Sequence, residues 1–341
     1  MSAVGAGEGG HSVVIDGSEV TFRQEPGDTL LRAALRAGIG FPYECNSGGC
    51  GSCRFQLLDG EVDDRWPDAP GRSDRDRRTG RLLACQCCVT SDARITVRTS
   101  PEYAPVVAPV RHSALLLHVA DLTHDMRLFR FATAAPAAFL PGQYAVVDLL
   151  NGVSRCYSMS NVANEEGVWE FIIRRVPEGR ATSALFDELA IGDEVEIDGP
   201  YGLAWLRTDN ERDIVCVAGG SGLAPMLSIA RGASEAGLLA TRQLHFFYGA
   251  RTPADVCGGE LLAELGANVH FHPVVSMPEA GSTWAGATGF VHEVSRERLG
   301  ETVRDHEWYF AGPAPMTQAL QELLVVELLV PVGQIHFDRF C

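Results

Sequence analysis

The alternation of apolar and polar positions changes character along the chain, and each change marks a module. Near the start, HSVVIDG and EVTFRQE alternate with period two and read as a hairpin. TLLRAALRAG follows with apolar residues at helical spacing, Asp28 placed as its N-cap and Gly38 as its end. RFQLLDGEV and ARITVRT supply further strands. Between them GRSDRDRRTGR, residues 71–81, reads as a solvated loop, because Asp74 and Asp76 interrupt its arginines. SPEYAPVVAP, with Pro101, Pro105 and Pro109 and no helical period, reads as an extended linker closing a first domain near residue 103.

Beyond the linker come HSALLLHVADL, MRLFRFAT, GQYAVVDLL, RCYSMSN, VWEFIIRRV and DEVEIDGPYG, with one helical piece, TSALFDELA, before the last. Several short strands bounded by turn residues predict a closed antiparallel barrel over residues 104–208. From residue 211 strand and helix alternate: DIVCVAGG, a helix over PMLSIARGASEAG, then QLHFFYGAR, ELLAELG, NVHFHPVVS, EWYFAGP and PMTQALQELLVVELL. That order predicts a parallel α/β sheet over 209–341. The expected fold class is thus a multidomain chain, α+β in 1–103, barrel in the middle and α/β at the end.

Composition narrows the function. With 341 residues, 46% of them hydrophobic, the chain has material for several cores, yet no apolar run approaches the roughly 18–20 residues of a membrane-spanning helix. MSAVGAGEGG lacks the positive start and apolar stretch of a secretory signal, so a soluble cytoplasmic protein with a short frayed N-terminus is expected. The formal charge is −16 and all 28 basic residues are arginine, which disfavours non-specific binding to nucleic acid. Ten cysteines, six of them in the first hundred residues, point in a reducing compartment to metal binding or catalysis rather than to disulfides.

Within GFPYECNSGGCGSCRF, Cys45, Cys50 and Cys53 form C-x4-C-x2-C, the plant-type [2Fe–2S] spacing, and Cys85 follows after 31 intervening residues as the distant fourth ligand. Three thiolates curling around a cluster a few ångströms wide need tight turns without bulk, which Ser47, Gly48, Gly49, Gly51 and Ser52 supply. Their N–H groups can also point at sulfur and stabilise added negative charge. Structural zinc is the rival, since zinc ribbons use separated C-x2-C knuckles, but the C-x4-C-x2-C run with one distant fourth cysteine favours iron–sulfur. Cys87 and Cys88 leave the register of the fourth ligand open. Cys85 is preferred because the strand-like VTSDARITVRT puts the other two at a strand start, where a free cysteine acts as a small hydrophobe. The segment resembles the plant-type ferredoxins, which implies a β-grasp domain.

Three short motifs sit on the middle strands: Pro141-Gly142-Gln143-Tyr144, Arg155-Cys156-Tyr157-Ser158 and Gly179-Arg180-Ala181-Thr182. In this order, ahead of a nucleotide-type segment, they resemble the flavin domain of the ferredoxin–NADP reductase superfamily. The resemblance implies Arg155 on the flavin pyrophosphate, Tyr157 flat against the isoalloxazine and Ser158 near N5, where hydride arrives, these last two being the catalytic candidates. Gly179 and Thr182 would hold phosphate at the start of TSALFDELA, with Ser183 as the register alternative. A bare strand with a snorkelling arginine is the bland reading of Arg155.

The last domain opens with Gly219-Gly220-Ser221-Gly222-Leu223-Ala224-Pro225 between an apolar strand and a helix. Pro225 in the last glycine position rules out the Rossmann fingerprint, and Leu223 rules out a G-x-S-x-G nucleophile elbow. The segment resembles the nicotinamide turn of the same superfamily, with Tyr248-Gly249-Ala250-Arg251 and Ala311-Gly312-Pro313-Ala314-Pro315-Met316 ending later strands. The family's usual C-G-P-P-P-M is altered here, Ala311 replacing the cysteine, while the backbone of Gly312 and Met316 can still wrap a dinucleotide. Arg251 could meet a 2′-phosphate and Asp255 would repel one; NADH is favoured. In GQIHFDRFC, the resemblance implies Phe340 as the C-terminal aromatic that covers the flavin, a packed edge aromatic being the alternative.

The order of modules resembles the NADH-dependent reductase components of bacterial multicomponent oxygenases. The resemblance implies an oxidoreductase carrying electrons from NADH through FAD and a [2Fe–2S] cluster to a terminal oxygenase that docks transiently on the ferredoxin domain. An N-terminal ferredoxin favours FAD over FMN, and a monomer is expected. The A-G-P-x-P-M-T-Q-A turn and HFDRF ending look most like reductases of soluble di-iron monooxygenases acting on alkenes or aromatics; reductases of Rieske-type dioxygenases share every motif. A passive electron carrier is the non-enzymatic alternative.

Overall fold

In the first unit of the chain, strand β1 (His11–Ile15) pairs antiparallel with β2 (Thr21–Gln24) as expected, Val13 facing Phe22. Residues 9–149, 152–278 and 281–340 are described by the computed structural model; the expected frayed start, residues 1–8, and Cys341 fall outside them. The chain divides into two compact units between Val110 and Arg111.

α1 (Leu30–Arg36) buries Leu30, Leu31, Ala34 and Leu35 on one face. β3 (Arg54–Asp59), β4 (Val62–Asp64), α2 (Asp74–Arg78), β5 (Arg81–Leu83), β6 (Cys87–Val89) and β7 (Ala93–Thr96) complete the first unit. Its main sheet runs β2-β1-β7-β3-β5, with β1 and β7 parallel, and β4 pairs with β6 in a short separate ladder. This is a β-grasp.

Three local expectations need correction. Asp28 does not cap α1: Thr29, one residue on, adopts the extended cap conformation and accepts the Arg32 amide at 3.3 Å, while Asp28 is buried against Arg36 at 3.0 Å. Residues 71–81 are not simply a loop, because Ser73 and Asp76 form a reciprocal capping box that starts α2. Asp76 is buried and pairs with Arg54 at 2.9 Å, so a residue that looked like surface charge anchors the segment. The expected linker opens with a helical turn at Pro101–Tyr103, and the Ser100 amide donates to the Gly40 carbonyl at 2.9 Å.

The second unit opens with six antiparallel strands: β8 (Val110–Asp121), β9 (Met126–Thr133), β10 (Tyr144–Asp148), β11 (Ser154–Ser158), β12 (Val168–Arg174) and β13 (Glu194–Tyr201). They order as β11-β10-β13-β8-β9-β12, and a single bridge from Met159 to Phe171 draws the two edges together, a near-closed barrel around Phe129, Phe131, Trp169 and Phe171. α3 (Arg180–Ser183) continues as a wider helical turn through Glu188.

The parallel sheet follows in order β17-β16-β15-β14-β18-β19, from β14 (Asp213–Gly219), β15 (Leu244–Ala250), β16 (Val269–Val275), β17 (Ala287–Thr288), β18 (His306–Pro313) and β19 (Ile335–Phe340). α4 (Leu223–Glu235) and α5 (Gly259–Ala263) lie in the connections after β14 and β15, and α6 (Val291–Leu299) and α7 (Ala314–Gln321) come before and after β18. α6 was not foreseen, since only Val291, Ser295 and Leu299 of VHEVSRERL are buried, a stripe too narrow to announce a helix.

β15 and β16 set His245 and His272 with ring nitrogens 3.2 Å apart, and His270 stacks on His245 at 5.1 Å. Burial, Arg298 and the neighbouring imidazoles hold both His245 and His272 at about 4. Unfolded histidine titrates near 6.5, so below about pH 6.5 the unfolded chain takes up more protons than the folded one. Stability contributed by these groups is whole above that pH and is lost progressively down to about pH 4. Calorimetry between pH 7 and 5 is expected to show a falling unfolding midpoint, and His272→Phe to flatten that fall.

Candidate cofactor sites

Cys45, Cys50 and Cys53 occupy the loop between α1 and β3, and Cys85 sits on the helical turn Ala84–Gln86 just before β6. Gly48 and Gly51 take φ of +85° and +76°, which lets the loop reverse tightly. Gly71 donates to the Gly48 carbonyl at 2.8 Å, and a Cβ on Gly71 would stand 2.4 Å from the Gly51 nitrogen, so only glycine fits there.

The four thiols are brought together, Cys45 beside Cys50 and Cys53 beside Cys85. Backbone amides aim at them: Ser47 and Cys50 donate to Cys45 Sγ at 3.5 and 3.4 Å, and Ser52 donates to Cys50 Sγ at 3.4 Å. Gln86 Nε2 donates to Cys85 Sγ at 3.5 Å. The Cys50 thiol and these amides lower the Cys45 thiol from its ordinary range. Asn46, between two ligands, buries both side-chain polar atoms without a partner among the described residues. Four converging thiols, amides aimed at sulfur and an unmet amide side chain fit an iron–sulfur cluster. Cys87 and Cys88 are buried on β6; the Cys88 thiol donates to the Asp28 carbonyl at 3.0 Å, and burial pushes both thiols up.

On the barrel, β11 carries the second group. The Arg155 guanidinium is exposed, and its Nη1 donates to the Ser154 carbonyl at 2.7 Å, its one hydrogen bond among the described residues, so its fork can meet a phosphate. Tyr157 is half-buried and meets Phe171 edge-on at 6.5 Å; burial pushes its phenol up, which keeps it neutral. Ser158 is buried opposite Tyr144 in the ladder.

At the phosphate end the two candidate hydroxyls differ in their surroundings. The Thr182 hydroxyl accepts the Val176 amide at 3.2 Å and lies 3.1 and 3.2 Å from the Val176 and Gly179 carbonyls, so it closes its own loop. A Cβ on Gly179 would strike that hydroxyl at 2.7 Å. The half-buried hydroxyl remaining at the helix start is Ser183, the register alternative. Ser183→Ala is expected to weaken FAD retention about tenfold in equilibrium dialysis without moving the apoprotein melt, whereas Thr182→Val costs the apoprotein about 1 kcal/mol.

The third group lies where the parallel strands end. A cleft is lined there by Gly219, Gly220, Tyr248, Arg251, Pro313 and Met316, with Met126 and Arg174 contributed by the barrel. Gly222 and Gly312 serve contact between loops rather than the cleft directly. A Cβ on Gly222 would stand 2.0 Å from the Ala311 carbonyl oxygen, and one on Gly312 2.8 Å from the Met316 methyl. Gly220, at φ +55°, faces Arg174, whose Nη1 is 3.4 Å from a would-be Cβ. Pro225 is buried in the first turn of α4, where its missing N–H has no cost.

Arg251 is exposed at the rim; Asp255 also lines the cleft, held by the Thr252 amide at 2.9 Å and hydroxyl at 3.0 Å. Phe337 stacks on Phe310 at 5.1 Å, a packing role, whereas Phe340 ends β19 opposite Pro313 and packs half-buried on the core shared by barrel and sheet. Sequence reasoning missed Met126, Arg174 and Phe290, which line the cleft from strand ends and a loop with no motif spacing to mark them. No helix among the described residues is long and apolar enough to cross a membrane.

Comparison with known proteins matches three segments of the chain. Residues 13–90 match the 2Fe-2S iron-sulfur cluster binding domain, 113–205 the oxidoreductase FAD-binding domain and 216–322 the oxidoreductase NAD-binding domain. The ferredoxin–NAD(P)(+) reductase CarAd of Metapseudomonas resinovorans is 43% identical over 92% of this chain and 95% of its own. The ferredoxin–NAD(+) reductase component of the alkene monooxygenase system of Xanthobacter autotrophicus is 40% identical over 95% of this chain and 98% of its own. Among solved structures, the ferredoxin reductase in carbazole 1,9a-dioxygenase superposes with a TM-score of 0.89 at 37% identity, covering 97% of this chain and 98% of that one.

Proposed function

Because the chain belongs to the ferredoxin–NAD(P)(+) reductases assembled from 2Fe-2S, FAD-binding and NAD-binding domains, we propose that it feeds electrons from NADH to the di-iron hydroxylase of an alkene or aromatic monooxygenase. It is a flavin iron–sulfur oxidoreductase with an electron-transfer role. When bound, FAD would supply a two-electron acceptor for the hydride of NADH and the cluster a one-electron carrier. Cys45, Cys50, Cys53 and Cys85 hold the cluster; Arg155 and Ser183 hold the flavin phosphates, Tyr157 packs on the flavin ring and Ser158 hydrogen-bonds near its reactive edge. The loops at 219–222 and 311–316 hold the dinucleotide, Asp255 disfavouring a 2′-phosphate. The chain acts as a cytoplasmic monomer and docks through its ferredoxin domain.

The observation that carries the choice of acceptor is likeness to the alkene monooxygenase reductase component over nearly the full length of both chains. Likeness to the reductase in carbazole 1,9a-dioxygenase supports the second reading, a Rieske-type dioxygenase. Reconstitution separates them: this protein and NADH are supplied to a di-iron hydroxylase and, separately, to a Rieske oxygenase. The reading requires faster product formation with the first. Turnover with the Rieske enzyme alone overturns it.

A further inference from the structure

The barrel and the parallel sheet of the second unit meet along one face of α4, and the polar contacts there converge on the motifs that carry the flavin residues. Ser228, Arg231 and Gly232 lie at helical spacing on that face. The buried Ser228 hydroxyl donates to the Asn161 carbonyl at 2.6 Å and accepts the Gly142 amide at 3.3 Å. A Cβ on Gly232 would overlap Pro141 at 2.4 Å, so the helix backbone rests directly on the Pro141-Gly142-Gln143 turn. Arg231 Nη1 donates to the Ser160 carbonyl at 2.9 Å and to Glu170 Oε2 at 3.1 Å. Glu170, a buried carboxylate on β12, is held from its other side by Arg130 Nε at 2.8 Å, and its own amide donates to Asn161 Oδ1 at 3.0 Å.

Two features make this more than general packing. Ser160 and Asn161 follow Ser158 after one intervening residue, Met159, so the clamp holds the chain just past the strand that presents the flavin residues. α4 begins at the 219–222 loop, so the same clamp holds the element that presents the dinucleotide. A buried carboxylate satisfied by two arginines, one from each side of the junction, has a fixed geometry that an apolar seam lacks.

We propose that Arg231 and Glu170 are positioning residues for hydride transfer, setting the α4 loop against the Arg155–Ser158 strand without touching either cofactor. This rests on the reading of the second unit as an FAD and NADH module. A misplacement of about 1 Å at a reacting centre costs up to about 100-fold in rate.

The test uses the full holoprotein with Arg231→Met, Arg231→Lys and Ser228→Ala. Rapid mixing with NADH and with NADH deuterated at the transferred position is expected to show flavin reduction slowed about 10- to 100-fold in Arg231→Met, with an altered isotope effect and NADH affinity changed less than about twofold. Arg231→Lys recovers part of the rate. Hydrogen exchange on the apoproteins is expected to rise at the amides of residues 142 and 160–161 in Arg231→Met and Ser228→Ala. Wild-type rate and isotope effect in Arg231→Met overturn the proposal, as does a slowed rate explained wholly by lost FAD. If Arg231→Met fails to fold, an unchanged rate and isotope effect in Ser228→Ala overturns it. Failure of the wild-type holoprotein to reduce its flavin with NADH would instead sink the underlying functional reading.

Discussion

Cys85→Ser is expected to abolish the iron–sulfur absorbance and its paramagnetic-resonance signal while FAD content and NADH-driven dye reduction persist. The fourth thiol stands beside Cys53 at the helical turn before β6. No neighbour can replace it: Cys88 is committed to the Asp28 carbonyl and Cys87 is buried in the β4–β6 ladder. Transfer to a one-electron protein acceptor is expected to fall about 100-fold or more, because the carrier itself is missing. Cys87→Ala and Cys88→Ala keep the cluster and lose only packing stability. Loss of the cluster in Cys87→Ala together with its retention in Cys85→Ser would move the ligand register by two residues.

Gly222→Ala carries the second large effect. Its new methyl would stand 2.0 Å from the Ala311 carbonyl oxygen and 2.5 Å from the carbonyl carbon, both rigid backbone atoms. The 219–222 and 311–316 loops must separate to admit it, at a strain of about 1–3 kcal/mol. Spent at the nicotinamide end of the site, that strain corresponds to flavin reduction by NADH slowed about tenfold to a hundredfold. The clash is distant from the cysteine loop in sequence and lies in the other compact unit, so cluster spectra are expected to be unchanged. Stopped-flow reduction beside quantified FAD and iron checks both halves of this expectation.

What the sequence disclosed follows from how local each signal is. The cysteine loop was legible because its spacing and its glycines answer one steric demand over nine residues. Strands of the barrel and sheet were legible because they bury either alternate positions, as β8 does at Ala114 and Leu116, or an unbroken apolar run, as in β14. The choice between Thr182 and Ser183 was not legible because either hydroxyl in the run satisfies the motif, and only the fold shows Thr182 bonded to Val176. Asp28 was misassigned for a similar reason, Thr29 being an equally good cap one residue later. α6 was missed because its buried stripe is one residue wide. The Glu170–Arg231 contact spans 61 positions in sequence, and no pattern along the chain can announce it.

Charge also reads differently once divided by unit. Residues 1–100 hold twelve arginines and fourteen acidic residues, so most of the −16 lies in the barrel and the parallel sheet. Overall acidity is therefore no argument for where an oxygenase component would dock; under the proposed function a local patch beside the Cys45–Cys53 loop is the surface to test.

The central claim is a relay within one chain, and anaerobic titration of the holoprotein with NADH tests it most directly. The account predicts flavin bleaching in the visible spectrum accompanied by a reduced-cluster paramagnetic-resonance signal as NADH is added. Flavin bleaching with no reduced-cluster signal at any NADH level would contradict it.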